Sequence, residues 1–201
     1  MNRPTADSPP RRSLLAAIAA GSVGALAGCL GGDGIEDTDA GGDPEAPSFP
    51  DHPIDEPRAP PEGRRCDGPC GMEPAQYPET NAQIAHAGGE GAFFDSVGCL
   101  VSYLHDPTFY GGPGTAVEAV WVRDFGTTEL LDATAATFVL DYSTERHEEV
   151  MAHNPKPFAD RADAVAYVDS YDDLGEDDLV DLDAFGAEQA HRYREYPIED
   201  D

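Results

Sequence analysis

The chain has 201 residues, of which 40 are Asp or Glu and only 12 are Lys or Arg, giving a formal charge of -28. Acid in such excess, spread along the whole sequence, excludes a nucleic-acid partner, because phosphate binding needs clustered Lys and Arg. It reads instead as adaptation to concentrated salt, where screening shortens the repulsion between carboxylates.

The first predicted element is a processing segment. Arg11 and Arg12 form a twin-arginine pair, an apolar run from Leu14 to Ala27 follows, and "LAGC" ends at Cys29. The pattern predicts a Tat-type lipoprotein signal over 1–28, cleaved before Cys29, whose sulfur then carries a lipid. The apolar run is shorter than the ~20 residues a membrane span requires. The mature protein is therefore expected to be lipid-anchored on the extracytoplasmic face of the cytoplasmic membrane. Residues 29–62, rich in Gly, Pro and acid and almost without apolar pattern, predict a flexible, disordered tether.

The folded head opens on "RRCDGPCGM", which crowds Cys66, Cys70 and Met72 into one short stretch. Thiolate and thioether are soft donors that select Cu(I), with zinc as competitor where several thiolates meet. Gly68, Pro69 and Gly71 are turn formers that let the sulfurs converge. The alternatives are a Cys66–Cys70 disulfide, permissible outside the cytoplasm, and a zinc site, which would want four tetrahedral ligands.

Next, "NAQIAHAGGEGAFFDS" predicts a strand, a turn at Gly88, Gly89 and Gly91, and a second strand. A helix follows, capped by Asp95 or Ser96, with Val97, Leu100, Val101 and Leu104 on one apolar face and its end at His105 and Asp106 before Pro107. Cys99 falls on the opposite side, beside Tyr103, and reads as a small buried hydrophobe. Asp95 is placed to hold a loop amide or a ligand histidine in position. "TAVEAVWVRDF" supplies a further strand and completes a ββαβ unit over 63–126.

The same grammar recurs over 127–187. "TELLDA" and "ATFVLDY" read as strands, "ADRADAVAYVDSY" as a helix with Ala164, Val165, Val168 and Tyr171 on one side, and "DLVDLDAF" as a last strand. A shift of 64 residues places Phe94 on Phe158, Ser96 on Asp160, Val101 on Val165 and Tyr103 on Tyr167. The expected fold is α+β, two ββαβ units from an internal duplication, followed by a frayed acidic tail over 188–201. In the polar connection "HEEVMAHNPKPF" before the second helix, Met151 and His153 form a candidate pair of neutral metal ligands; the plainer reading of Met151 is a thioether covering an edge of the core.

There is no GxSxG, HExxH, P-loop or strand-borne GxGxxG, so no catalytic residue is assigned and an enzyme is not expected. Two other classes stay open: an extracytoplasmic thiol-disulfide redox protein using Cys66 and Cys70, and a substrate-binding lipoprotein of a transporter.

Taken together, "CDGPCGM", "YPETNAQIAH", "AFFDSVGCLVSYL", "AVWVRDFGTTELLDATAATFVLD" and "MAHNPKPFADRADAVAYV" resemble the NosL family of copper-binding lipoproteins, in the order that family shows them. The resemblance covers about Cys66 to Leu182 and implies two ββαβ units similar to part of organomercurial lyase. It also implies a Cu(I) metallochaperone serving assembly of the catalytic copper-sulfide centre of nitrous oxide reductase, with an ABC-type membrane complex as docking partner. Carried over by position, Cys70 and Met72 match the family's Cys-Gly-Met core and Met151 its later methionine. Cys66 stands one residue further away than in the family's Cys-x-x-Cys. His153 is added from local chemistry alone.

Overall fold

A computed structural model describes residues 49–195. The predicted signal, Cys29 and most of the predicted tether lie outside the described residues. Among the described residues no helix is long and apolar enough to cross a membrane.

The first sheet grows from β1 (Ala82–His86) and β2 (Gly91–Phe94), joined by a tight turn in which Gly89 takes a positive φ of 86°, as the Gly cluster predicts. Helix α1 (Val97–His105) follows, and β3 (Val117–Arg123) returns to pair with the other edge of β1. Strand alternation divides the side chains cleanly. Ile84, Ala92, Phe94, Val120 and Val122 enter the core with α1. Gln83, Phe93 and Trp121 face the other way. There His52 covers them, stacked 5.3 Å from Trp121 and donating from Nε2 to Gln83 Oε1 at 2.8 Å. The end of the predicted tether is thus packed structure: His52 is buried, and Asp51 bridges to Glu90.

"TELLDA" does not open a second unit. It forms β4 (Leu130–Asp132), which pairs antiparallel with β3 and gives the sheet the order β2-β1-β3-β4. The reason lies in the turn, where Asp124 Oδ1 accepts the amides of Gly126 (3.0 Å) and Thr127 (2.7 Å) and closes a hairpin, local chemistry that brings β4 back onto its predecessor.

The second sheet contains β5 (Thr137–Val139), β6 (Lys156–Phe158) and β7 (Leu179–Val180), with α2 (Arg161–Val168) between the last two. Its order, β6-β5-β7, repeats β2-β1-β3, and every pairing in both sheets is antiparallel. The offset of 64 holds: β2 ends at Phe94 and β6 at Phe158, while α1 starts at Val97 and α2 at Arg161. The hairpin partner of β5 is therefore the "KPF" of the stretch read as a polar connection. Lys156 disguised it, yet its ammonium is buried and paired with Glu149 at 2.7 Å, and Pro157 is tolerated because β6 is an edge strand.

Helix α2 is capped by Asp160, whose side chain accepts the amide of Ala162 at 2.8 Å. Asp160→Ala is expected to cost about 1 kcal/mol, read from denaturant midpoints. The stretch predicted as a frayed tail forms α3 (Ala187–Arg194), which packs on α1 with Ala190 and Tyr193 buried. This second neighbour explains why α1 is buried on both sides rather than on one apolar face.

Candidate metal centre

The loop that carries Cys66 and Cys70 is closed by its own backbone, with the Cys66 amide donating to Met72 O at 2.6 Å. It is fastened to β2 by two bonds: Asp67 N to Phe93 O (3.0 Å) and Phe93 N to Asp67 Oδ2 (2.8 Å). Gly68 then lies against the first turn of α1. A Cβ there would come within 2.9 Å of the Cys99 carbonyl oxygen, so a side chain would hold the loop off the helix. Gly71 turns the chain with a φ of 65°.

The β2–α1 corner contributes Asp95 and, four residues later, Cys99. One ligand atom each from Cys66, Cys70, Asp95 and Cys99 lies within 4.8 Å of all the others. Cys70 Sγ is 2.7 Å from Asp95 Oδ1, toward which it can direct its proton, and the buried Asp95 Oδ2 has no hydrogen-bond partner. Among the described residues all three cysteines are free thiols. Cys66 and Cys99 are buried and Cys70 is half-buried, which makes Cys70 the open edge of the cluster.

The protons in this cluster are unequally held. Hydrogen bonds from the Cys66 and Cys70 thiols, together with the Arg194 guanidinium, outweigh burial and hold Cys99 far below the ordinary thiol range. Cys66 is pushed up by its hydrogen bonds with Cys70 and Cys99 and by burial. Its bond with Cys66 works in the opposite direction for Cys70, which is still raised by Cys99 and by desolvation. Burial also raises Asp95. Cys99 is thus the thiol that gives up its proton most readily, and a cation must displace protons to recruit the remaining donors.

The structure brings together Cys66, Cys70 and Asp95 and adds Cys99, which is buried in the core as its sequence neighbours predict and also faces the other two sulfurs. Asp95 stands among the donor atoms themselves rather than behind a ligand. The signal for Cys99 was its place four residues after Asp95, on the same side of a helix start. Met72 adjoins the cluster, its amide donating to Cys70 Sγ at 3.5 Å. Met151 and His153 sit in a separate turn, with Met151 and Ala152 both at positive φ. The His153 ring is engaged with α3, Nε2 lying 3.0 Å from Arg192 O and the ring tilted against Tyr193. Three sulfurs and one carboxylate make a soft donor set suited to Cu(I), or to Zn(II) if the carboxylate completes a tetrahedron.

Residues 58–174, more than half of the chain, match the family model described as NosL. No curated protein matches. Among solved structures the fold is similar to the crystal structure of the copper chaperone NosL from Shewanella denitrificans, with 20% identity, a TM-score of 0.52, and coverage of 66% of this chain and 97% of that one.

Proposed function

The chain belongs to the NosL family, and from that premise we propose that its cargo is Cu(I), carried for assembly of the copper-sulfide centre of nitrous oxide reductase. The observation that carries the reading is the convergence of Cys66, Cys70 and Cys99 with Asp95. Thiolates select a soft monovalent ion over the more abundant hard cations. That the solved relative is named a copper chaperone supports the choice of copper over zinc. The Tat-type signal predicted at the N-terminus, Cys29 and the Gly- and Pro-rich stretch after it support a lipid-anchored carrier on the extracytoplasmic face, and membership of the NosL family supports an ABC-type membrane complex of the maturation machinery as its docking partner.

The ion enters past Cys70 and meets Cys99, the thiol that yields its proton most readily. Cys66 and Cys70 then lose their protons as they bind, and Asp95, beside Cys70, is the nearest acceptor. Delivery reverses this sequence. A ligand from the recipient approaches at Cys70, replaces one sulfur, and draws the ion off as the thiols take protons back.

Because loading releases protons, apparent affinity falls as pH falls, by about tenfold per pH unit for each proton displaced. Anaerobic titration of the reduced chain against a chromophoric Cu(I) chelator, at several pH values, checks both the affinity and this slope. The expected result is tight uptake of Cu(I) with sulfur ligation by X-ray absorption. Uptake of zinc with no competition from Cu(I) would sink the reading.

A further inference from the structure

Arg194, the last residue of α3, lies beyond the stretch that matches the family. Its guanidinium is buried and, among the described residues, pairs with no carboxylate. Nε donates to Cys99 Sγ at 3.3 Å, Nη2 to Ser96 Oγ at 2.9 Å and to Asn154 Oδ1, and Nη1 to His153 O at 3.0 Å. A buried cation with only neutral oxygens around it is costly unless a negative charge faces it. Here the group that can supply that charge is the sulfur cluster.

Two features of α1 are arranged around this side chain. Ser96 is the N-cap residue, yet its hydroxyl makes no cap bond; it accepts from Arg194 instead. At the matching position of the second unit, Asp160 does cap its helix. Gly98 leaves a gap in the helix surface that the guanidinium fills, and a Cβ there would stand 2.5 Å from Arg194 Cζ.

We propose that Arg194 is a positioning residue of the metal site: it aims Cys99 Sγ at the other two sulfurs and balances the negative charge of the three-thiolate complex with Cu(I). Helix α3 is on this view part of the metal site, although it lies outside the family core. The inference rests on the function proposed above.

The test uses the full chain under anaerobic conditions, with Cu(I) titrated against a chelator and sulfur ligands counted by X-ray absorption. Arg194→Gln is expected to lower Cu(I) affinity by about tenfold or more and to reduce sulfur ligation from three to two. Arg194→Lys, which restores charge without the planar fork, should recover part of the affinity. Gly98→Ala keeps the arginine and favours the helix, but displaces the guanidinium; it should reproduce the loss and decides the matter if Arg194→Gln fails to fold. If the parent chain takes up no Cu(I), the proposed function fails. If the parent binds and both Arg194→Gln and Gly98→Ala bind equally tightly through three sulfurs, the assignment of Arg194 is overturned while the function stands.

Discussion

Cys99→Ser is expected to lower Cu(I) affinity by about a hundredfold while leaving the fold in place. The magnitude follows from sharing a thiolate site's total binding free energy among its ligands, about 3 kcal/mol for each. Cys66→Ser and Cys70→Ser should behave alike, because the three sulfurs and Asp95 all lie within 4.8 Å of one another. If Cys99 were only a core residue, the exchange would leave copper uptake untouched and merely place a hydroxyl in an apolar site, at a cost of about 1–3 kcal/mol. Chelator competition and urea midpoints on the same variants separate the two accounts. Unchanged affinity with lowered stability would remove Cys99 from the site.

Asp124→Ala should produce the largest loss of stability outside the metal site, about 3 kcal/mol. Besides the two turn amides and the Thr127 hydroxyl at 3.0 Å, its carboxylate accepts the Ala159 amide at 2.8 Å through Oδ2. It thereby ties the β3–β4 turn of one sheet to the entrance of α2 on the other, alongside the bond from Phe125 N to Pro157 O at 2.7 Å. Burial opposes ionisation here, but the amides of Ala159, Thr127 and Gly126 and the Thr127 hydroxyl prevail and hold the carboxyl below its ordinary range. Since the folded value lies below the unfolded one, the stabilisation is complete above about pH 4 and disappears as pH falls through the folded value. Parent and variant should therefore differ most in urea midpoint at pH 7, and the gap should narrow in acid. A gap of constant size from neutral pH down through the whole acid range would show that the charge is not what stabilises the turn.

Much of the first unit is legible because its signals are local. Glycines mark the β1–β2 turn, and the spacing of Val97, Leu100, Val101 and Leu104 marks α1. The offset of 64 was legible too, since it compares residues without needing to know what they touch. What escaped depends on distant partners. Lys156 and Pro157 argue against a strand until Glu149 and the edge position are known. Leu130 and Leu131 have the pattern of a strand, but pattern does not say which sheet receives it. Helix α3, "AEQAHRYR", offers only Ala190 and Tyr193 to the core and ends in a buried arginine, so its composition reads as tail. Cys99 sits among apolar neighbours and looks like one of them. Its approach to Cys66 and Cys70, about thirty residues earlier, depends on a loop that Gly68 allows to press against the helix.

The repeated topology has a consequence for capacity. Moved by 64 positions, Asp95 and Cys99 fall on Ala159 and Asp163, so the sister half offers no sulfur where its counterpart has one. Among the described residues the doubled scaffold therefore carries the sulfur cluster in one half alone, and a carrier built on it, as proposed here, would take one ion per molecule while the other half serves as keel.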